Sequence, residues 1–230
     1  MLKLVDISKV FRNKNVETRA LSNINITINQ GEFVSIMGPS GCGKSTLLNI
    51  IGLIETASSG SYYVDNKLVS SLSEWERTDL RKNNFAFVFQ NFNLIDELTA
   101  RENIELPLIY QKIPSSERAK RVNDILEDFN LKHRADYFPK ELSGGQQQRV
   151  AVARAVISGS KIILADEPTG NLDSTHGEEI IQLLTKLNEQ GTTVIMVTHS
   201  MMHAQRSQRI IHLFDGHVVT ENYVKSVVQL

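Results

Sequence analysis

Residues 33–52 read FVSIMGPSGCGKSTLLNIIG. Phe33-Val34-Ser35-Ile36-Met37 is a short apolar run of strand type, and Ser45 to Gly52 has helical character, with a glycine-rich loop between them. The loop fits G-x-x-x-x-G-K-[ST] through Gly38, Gly43, Lys44 and Ser45. Glycines let the backbone curl until successive N–H groups point inward, and the following helix adds its positive end, so the loop can cradle phosphate oxygens. All of Gly38, Pro39, Ser40, Gly41, Cys42, Gly43, Lys44, Ser45 and Thr46 are therefore candidate binding residues. Lys44 would neutralise terminal phosphates, and the Ser45 hydroxyl would hold Mg²⁺. Cys42 is either a thiol activated by the nearby helix start or a small filler.

A site of this kind needs a second apolar strand that ends in an acid. Ile162-Ile163-Leu164-Ala165-Asp166 supplies it, followed at once by Glu167. The two acids divide the labour: Asp166 acts on the metal, and Glu167 polarises an attacking water as general base. Further out, a helix near 176–189, a strand over Thr193–Val197 and a hairpin around Asp215-Gly216 extend the pattern. Alternation at Leu2, Leu4, Ile7 and again at Leu21, Ile24, Ile26, Ile28 predicts antiparallel strands that turn at Asn29-Gln30-Gly31. Between about 91 and 158, Pro107, Pro114 and Pro139 punctuate a polar, helix-forming stretch, clearest from Ser115 to Leu131, where Val122, Ile125, Leu126 and Phe129 share a face.

Composition narrows the class. With 41% hydrophobic and 22% charged residues the chain is of ordinary globular type. Lys plus Arg at 25 against Asp plus Glu at 26 gives no field to draw in nucleic acid. One cysteine rules out an internal disulfide, and no apolar run approaches the roughly 20 residues that cross a bilayer. A cytoplasmic protein is expected, whose membrane role, if any, comes through docking.

A phosphate loop and an acidic strand suit a kinase, a GTPase or a helicase equally. Residues 142–146 break the tie: they read LSGGQ, followed by Gln147-Gln148-Arg149 and an alanine-rich helix from Val150 to Ile157. This resembles the signature of ABC ATPases. Ser143, Gly144, Gly145 and Gln146 open a second helix start able to receive phosphate. The resemblance implies a head-to-tail homodimer, with each of two ATP molecules clasped between one subunit's loop and the other's signature.

The other family motifs follow in order over nearly the whole chain. Gln90, after Phe85–Phe89, matches the glutamine that reaches magnesium and water, so the implied metal set is Ser45, Gln90 and Asp166. Asn171-Leu172-Asp173 matches the loop that crosses the dimer interface. His199 matches the histidine that contacts the γ-phosphate and joins Glu167 and Gln90 in the implied catalytic set. Phe11 stands where the family has an adenine-stacking aromatic, commonly tyrosine, although an amphipathic strand also explains it as a core residue. His199 and His203 have zinc-helix spacing, but Ser200 occupies the position where H-E-x-x-H needs glutamate, which excludes zinc. Ser200 also departs from the aspartate common in the family at that position.

The implied fold class is α/β: a P-loop NTPase core of ABC type with an antiparallel β subdomain and an inserted α-helical subdomain. It is read as one domain over 1–230, with the core in 1–90 and 159–230 and the helical part in 91–158. The DNA-repair and translation branches carry insertions or duplicated halves that 230 residues do not hold. SIMGPSGCGKSTLLNIIG, FVFQNFNLI, ENIELPL and ADEPTGNLD are similar to the lipoprotein-releasing, macrolide-efflux, peptide-resistance and division-associated ATPases. That likeness implies a separate transmembrane permease, alone or with an extracytoplasmic adaptor, driven from the inner face of the cell membrane. Docking is expected through Phe92, Asn93, Leu94, Ile95 and the neighbouring helices. A soluble ABC ATPase without a permease is the alternative.

Overall fold

The computed structural model describes residues 1–13 and 16–224. Two sheets organise them. The smaller is antiparallel: β1 (Leu2–Asn13) lies between β2 (Val16–Ile28) and β4 (Ser59–Val64), and β5 (Lys67–Leu68) extends it beyond β4. The larger runs β10 (His217–Tyr223), β9 (Arg209–Phe214), β3 (Phe33–Met37), β8 (Thr193–Val197), β7 (Ile162–Asp166), β6 (Phe85–Phe89). Its strands pair in parallel except at the β9–β10 hairpin.

Strands β3 and β8 are buried along their whole length, as near-continuous apolar runs are when both faces of a parallel sheet are covered. The two faces separate with period two. Ile162 and Leu164 join Val34, Ile36, Ile195 and Val197 in a core shared with the small sheet and with α1 (Lys44–Ile51). Ile163 and Ala165 join Ala86, Val88, Val194 and Met196 in a second core. Its cover is α3 (Ala100–Tyr110), α4 (Ser115–Asp128), α5 (Gly144–Ile157) and α6 (Ser174–Glu189). Each fully buried Leu or Ile contributes about 1.5–3 kcal/mol.

The register decides where chemistry can happen. Phe89 pairs with Asp166, Asp166 with Val197, and Ile36 with Val197. The carboxyl ends of β6, β7, β8 and β3 are thus level, and Gln90, Glu167, His199 and Gly38 leave the sheet at one edge, where open α/β sheets bind ligands.

Three departures from expectation have physical causes. The stretch 53–84, on which the sequence is silent, holds β4, β5 and α2 (Glu74–Asn84). Helix α2 has no fully buried residue and rests on the first core through the half-buried Leu80; a Ser73–Glu76 capping box starts it. Pro107 does not interrupt its segment, since α3 runs through it. The helix expected to reach Leu131 ends at Asp128, and Asn130 turns left-handed at φ 53°.

Candidate active site

The phosphate loop is held in shape from outside. A Cβ on Gly38 would collide with the Leu213 carbonyl oxygen of β9, and one on Gly43 with the Ala20 carbonyl of β2, so neither position accepts a side chain. Gly216, in the β9–β10 turn, donates its N–H to the Cys42 carbonyl at 3.1 Å. Beneath the loop Cys42 is 6% exposed and packs into the core. This burial fits the small filler of the two readings and not an accessible thiol.

Lys44, at the first turn of α1, is 5% exposed and donates to the carbonyls of Gly38 (3.0 Å) and Pro39 (2.9 Å), spanning the loop from exit to entry. Ser45 donates its hydroxyl to Asp166 Oδ1 at 3.2 Å, which brings together two of the three implied metal residues. Burial pushes the Asp166 carboxyl above the usual carboxylate range; the Ser45 hydrogen bond opposes this, the neighbouring Glu167 charge adds to it, and Lys44 counters it.

Glu167 has φ 47°, a left-handed conformation uncommon for a residue with a side chain. Its N–H donates to the Val197 carbonyl at 3.0 Å, and its carbonyl accepts from the Gly170 N–H at 3.0 Å. This kink lifts the carboxylate off the strand end and against His199, whose Nε2 is 2.8 Å from Glu167 Oε1. Gln90 is tied sideways: its amide donates to Asn171 Oδ1 at 3.3 Å, while Asn171 donates to the Gln90 carbonyl at 3.0 Å.

The loop, Glu167 and His199 border a cleft of about 340 Å³ that also takes in Thr18, Arg19 and Ala20 of β2. These three were missed from sequence because only the antiparallel pairing swings them over the loop. Phe11 is not part of the wall. It pairs with Thr18 across the β1–β2 ladder, is 42% exposed, and has Lys9 Nζ 4.8 Å from its ring centroid. The core reading of Phe11 is therefore overturned.

Signature residues 143–146 contribute nothing to this cleft. Ser143 is the N-cap of α5: its hydroxyl accepts from the Gln146 N–H, and the Gln146 side chain accepts from the Ser143 N–H at 3.0 Å. Asp173 caps α6, taking N–H groups of Thr175 and His176 on one oxygen, each at 3.0 Å. His203 is buried with Nδ1 3.1 Å from Thr169 Oγ1.

Comparison with known proteins agrees with this geometry. The sequence model of the family described as ABC transporter matches residues 21–170. The macrolide export ATP-binding/permease protein MacB of Brucella melitensis is 46% identical over 227 residues, covering 99% of this chain and 35% of the relative. An uncharacterised ABC transporter ATP-binding protein of Methanocaldococcus jannaschii, MJ0796, is 50% identical over 230 residues, with 98% of each covered. The dimeric structure of a post-hydrolysis state of the cassette MJ0796 bound to ADP and Pi superposes with a TM-score of 0.91 at 48% identity, covering 98% of this chain and 99% of that one. This chain thus spans about a third of the length of the MacB relative and nearly all of the Methanocaldococcus one. It belongs to the ABC transporter family, as an ABC ATPase cassette.

Proposed function

We propose that the chain hydrolyses Mg-ATP in the cleft above the phosphate loop as one half of a head-to-tail dimer, and that the cycle drives a membrane permease. The observation that carries this reading is the separation of two phosphate-receiving helix starts: the cleft has α1 and its acids, and α5 opens elsewhere. Ser45 and Asp166 offer two oxygens 3.2 Å apart, a donor set suited to a hard cation, and Gln90 stands at the adjacent strand end. Mg²⁺ held there would neutralise charge on the phosphate oxygens. Lys44 and the loop N–H groups orient the phosphates. Glu167 takes the proton of the attacking water, and His199 fixes its carboxylate while facing the γ-phosphate position. Phe11, beside the cleft wall, would stack on adenine, and Ser143, Gly144, Gly145 and Asp173 would act on the partner's ATP.

Size exclusion tests the dimer. Glu167→Gln protein is expected to run as a monomer without nucleotide and as a dimer with ATP, and the further substitution Ser143→Arg should return it to monomer. Identical elution of the two variants with ATP would contradict the arrangement.

The permease surface is a groove of about 630 Å³ bounded by Thr78 and Lys82 of α2, Phe87 and Phe89 of β6, Tyr110 of α3 and Arg154 of α5. Arg154 donates to the carbonyls of Phe92 (2.9 Å) and Asn93 (2.6 Å), so the groove is wired to the loop after Gln90. Of Phe92, Asn93, Leu94 and Ile95, expected from sequence to make the contact, Asn93 lines the groove, whereas Phe92 lies beside Gly144 and Leu94 packs on the second core. Tyr110, 66% exposed, is the better probe. Tyr110→Glu should reduce permease-stimulated hydrolysis about tenfold or more, since aromatic anchors dominate such interfaces, while turnover of the isolated cassette is retained. Loss of both together, or copurification with no membrane component, would favour a soluble ATPase. No described helix is long and apolar enough to cross a membrane, so attachment to the inner face would come through this groove.

A further inference from the structure

His176 stands between the loop expected to cross the dimer interface and the start of the signature helix, and touches both. Its Nδ1 is 2.6 Å from Asp173 Oδ2, the carboxylate oxygen left over after Oδ1 has capped α6. On its other side the ring lies against Gly145. A Cβ added to Gly145 would come 2.5 Å from His176 Cδ2 and 2.8 Å from Cγ, so the imidazole fills the space that a side chain there would occupy. One turn further along both helices Arg149 Nη2 meets Glu179 Oε2 at 2.7 Å, while Gln148 of α5 donates to the carbonyl of Pro168, in the loop that leads from β7 to α6, at 2.8 Å. Helices α5 and α6 are laced along their first turns, and His176 is the lace nearest the signature.

We infer that His176 is a positioning residue for the interface: it holds the Asp173 loop and the first turn of α5 as one unit. The physical need is local. Gly144 and Gly145 open α5, and glycine is among the poorest helix formers because its backbone has the most freedom to lose. The Ser143–Gln146 capping box orders this helix start from within, and the His176 ring adds a flat wall against Gly145 from outside. The hydrogen bond to Asp173 sets the angle of that wall. This rests on the reading that α5 receives ATP held by a second copy.

The test uses the Glu167→Gln chain and follows two readouts: the ATP concentration that gives half dimer by analytical ultracentrifugation, and the affinity of the monomer for a fluorescent ADP analogue. His176→Ala is expected to raise the half-dimer ATP concentration about tenfold, with ADP affinity within about twofold of the parent. His176→Asn keeps a donor for Asp173 but lacks the ring, and should fall between. An unchanged midpoint in His176→Ala overturns the inference. So does a loss of ADP affinity by the same factor, which marks general damage, or an Asn variant no better than Ala. Failure of the Glu167→Gln parent itself to dimerise with ATP would instead remove the dimer reading underneath.

Discussion

Glu167→Gln protein is expected to hydrolyse Mg-ATP about 10²–10⁴-fold more slowly than the parent, which corresponds to roughly 3–5 kcal/mol of barrier. The substitution is nearly isosteric. The amide oxygen can still accept from His199 Nε2, now 2.8 Å from the carboxylate, and the left-handed kink at 167 with its bonds to Val197 and Gly170 is made by the backbone. What disappears is the ability to take a proton from water. Nucleotide affinity, set by the loop and Lys44, should be retained. Phosphate release under saturating Mg-ATP measures the effect, and a parental rate would remove Glu167 from the role of base.

Lys44→Ala should fail one step earlier, at binding. Its ammonium is buried and bridges two loop carbonyls at 3.0 and 2.9 Å, so it both braces the loop and places the only Lys or Arg charge contributed by the loop itself. Charge-assisted hydrogen bonds contribute about 1.5–3 kcal/mol each, and ATP affinity by calorimetry should fall at least about 100-fold. Parental affinity in this variant would place the phosphates somewhere other than the loop. The two substitutions thus separate chemistry from binding, with Glu167→Gln lowering kcat and Lys44→Ala lowering affinity.

Much of this was legible in the sequence because local pattern and tertiary environment agree. The strands Phe33–Met37 and Thr193–Val197 read to the residue, since a strand covered on both faces shows itself as a near-continuous apolar run, and the edge strand Phe85–Phe89 is as apolar although Phe87 and Phe89 are only half-buried. Gly38, Lys44, Ser45, Asp166 and Glu167 were legible because phosphate chemistry fixes their spacing. The rest depends on partners distant in sequence. Helix α2 sets only Leu80 against the core, too little apolar surface to betray it, and β4 opens on Ser59-Gly60-Ser61 and buries only Tyr62 and Val64. Thr18 and Arg19 enter the cleft only through a strand register. Cys42 was left open between an activated thiol and a small filler, because only the close approach of Leu213 and Gly216, distant in sequence, puts it inside. His176 carries no motif, and only its contacts with Asp173 and Gly145 reveal it.

The central claim is that each ATP is held by the loop of one copy and the signature of another. Mixing two inactive variants tests it most directly. Lys44→Ala spoils the loop and leaves the signature, whereas Ser143→Arg spoils the signature and leaves the loop. Assayed separately, neither should hydrolyse ATP. In an equal mixture, the mixed dimer unites the intact loop of the Ser143→Arg subunit with the intact signature of the Lys44→Ala subunit, so one site of its two is whole and ATPase activity should reappear. A mixture as inactive as its components would contradict the shared site.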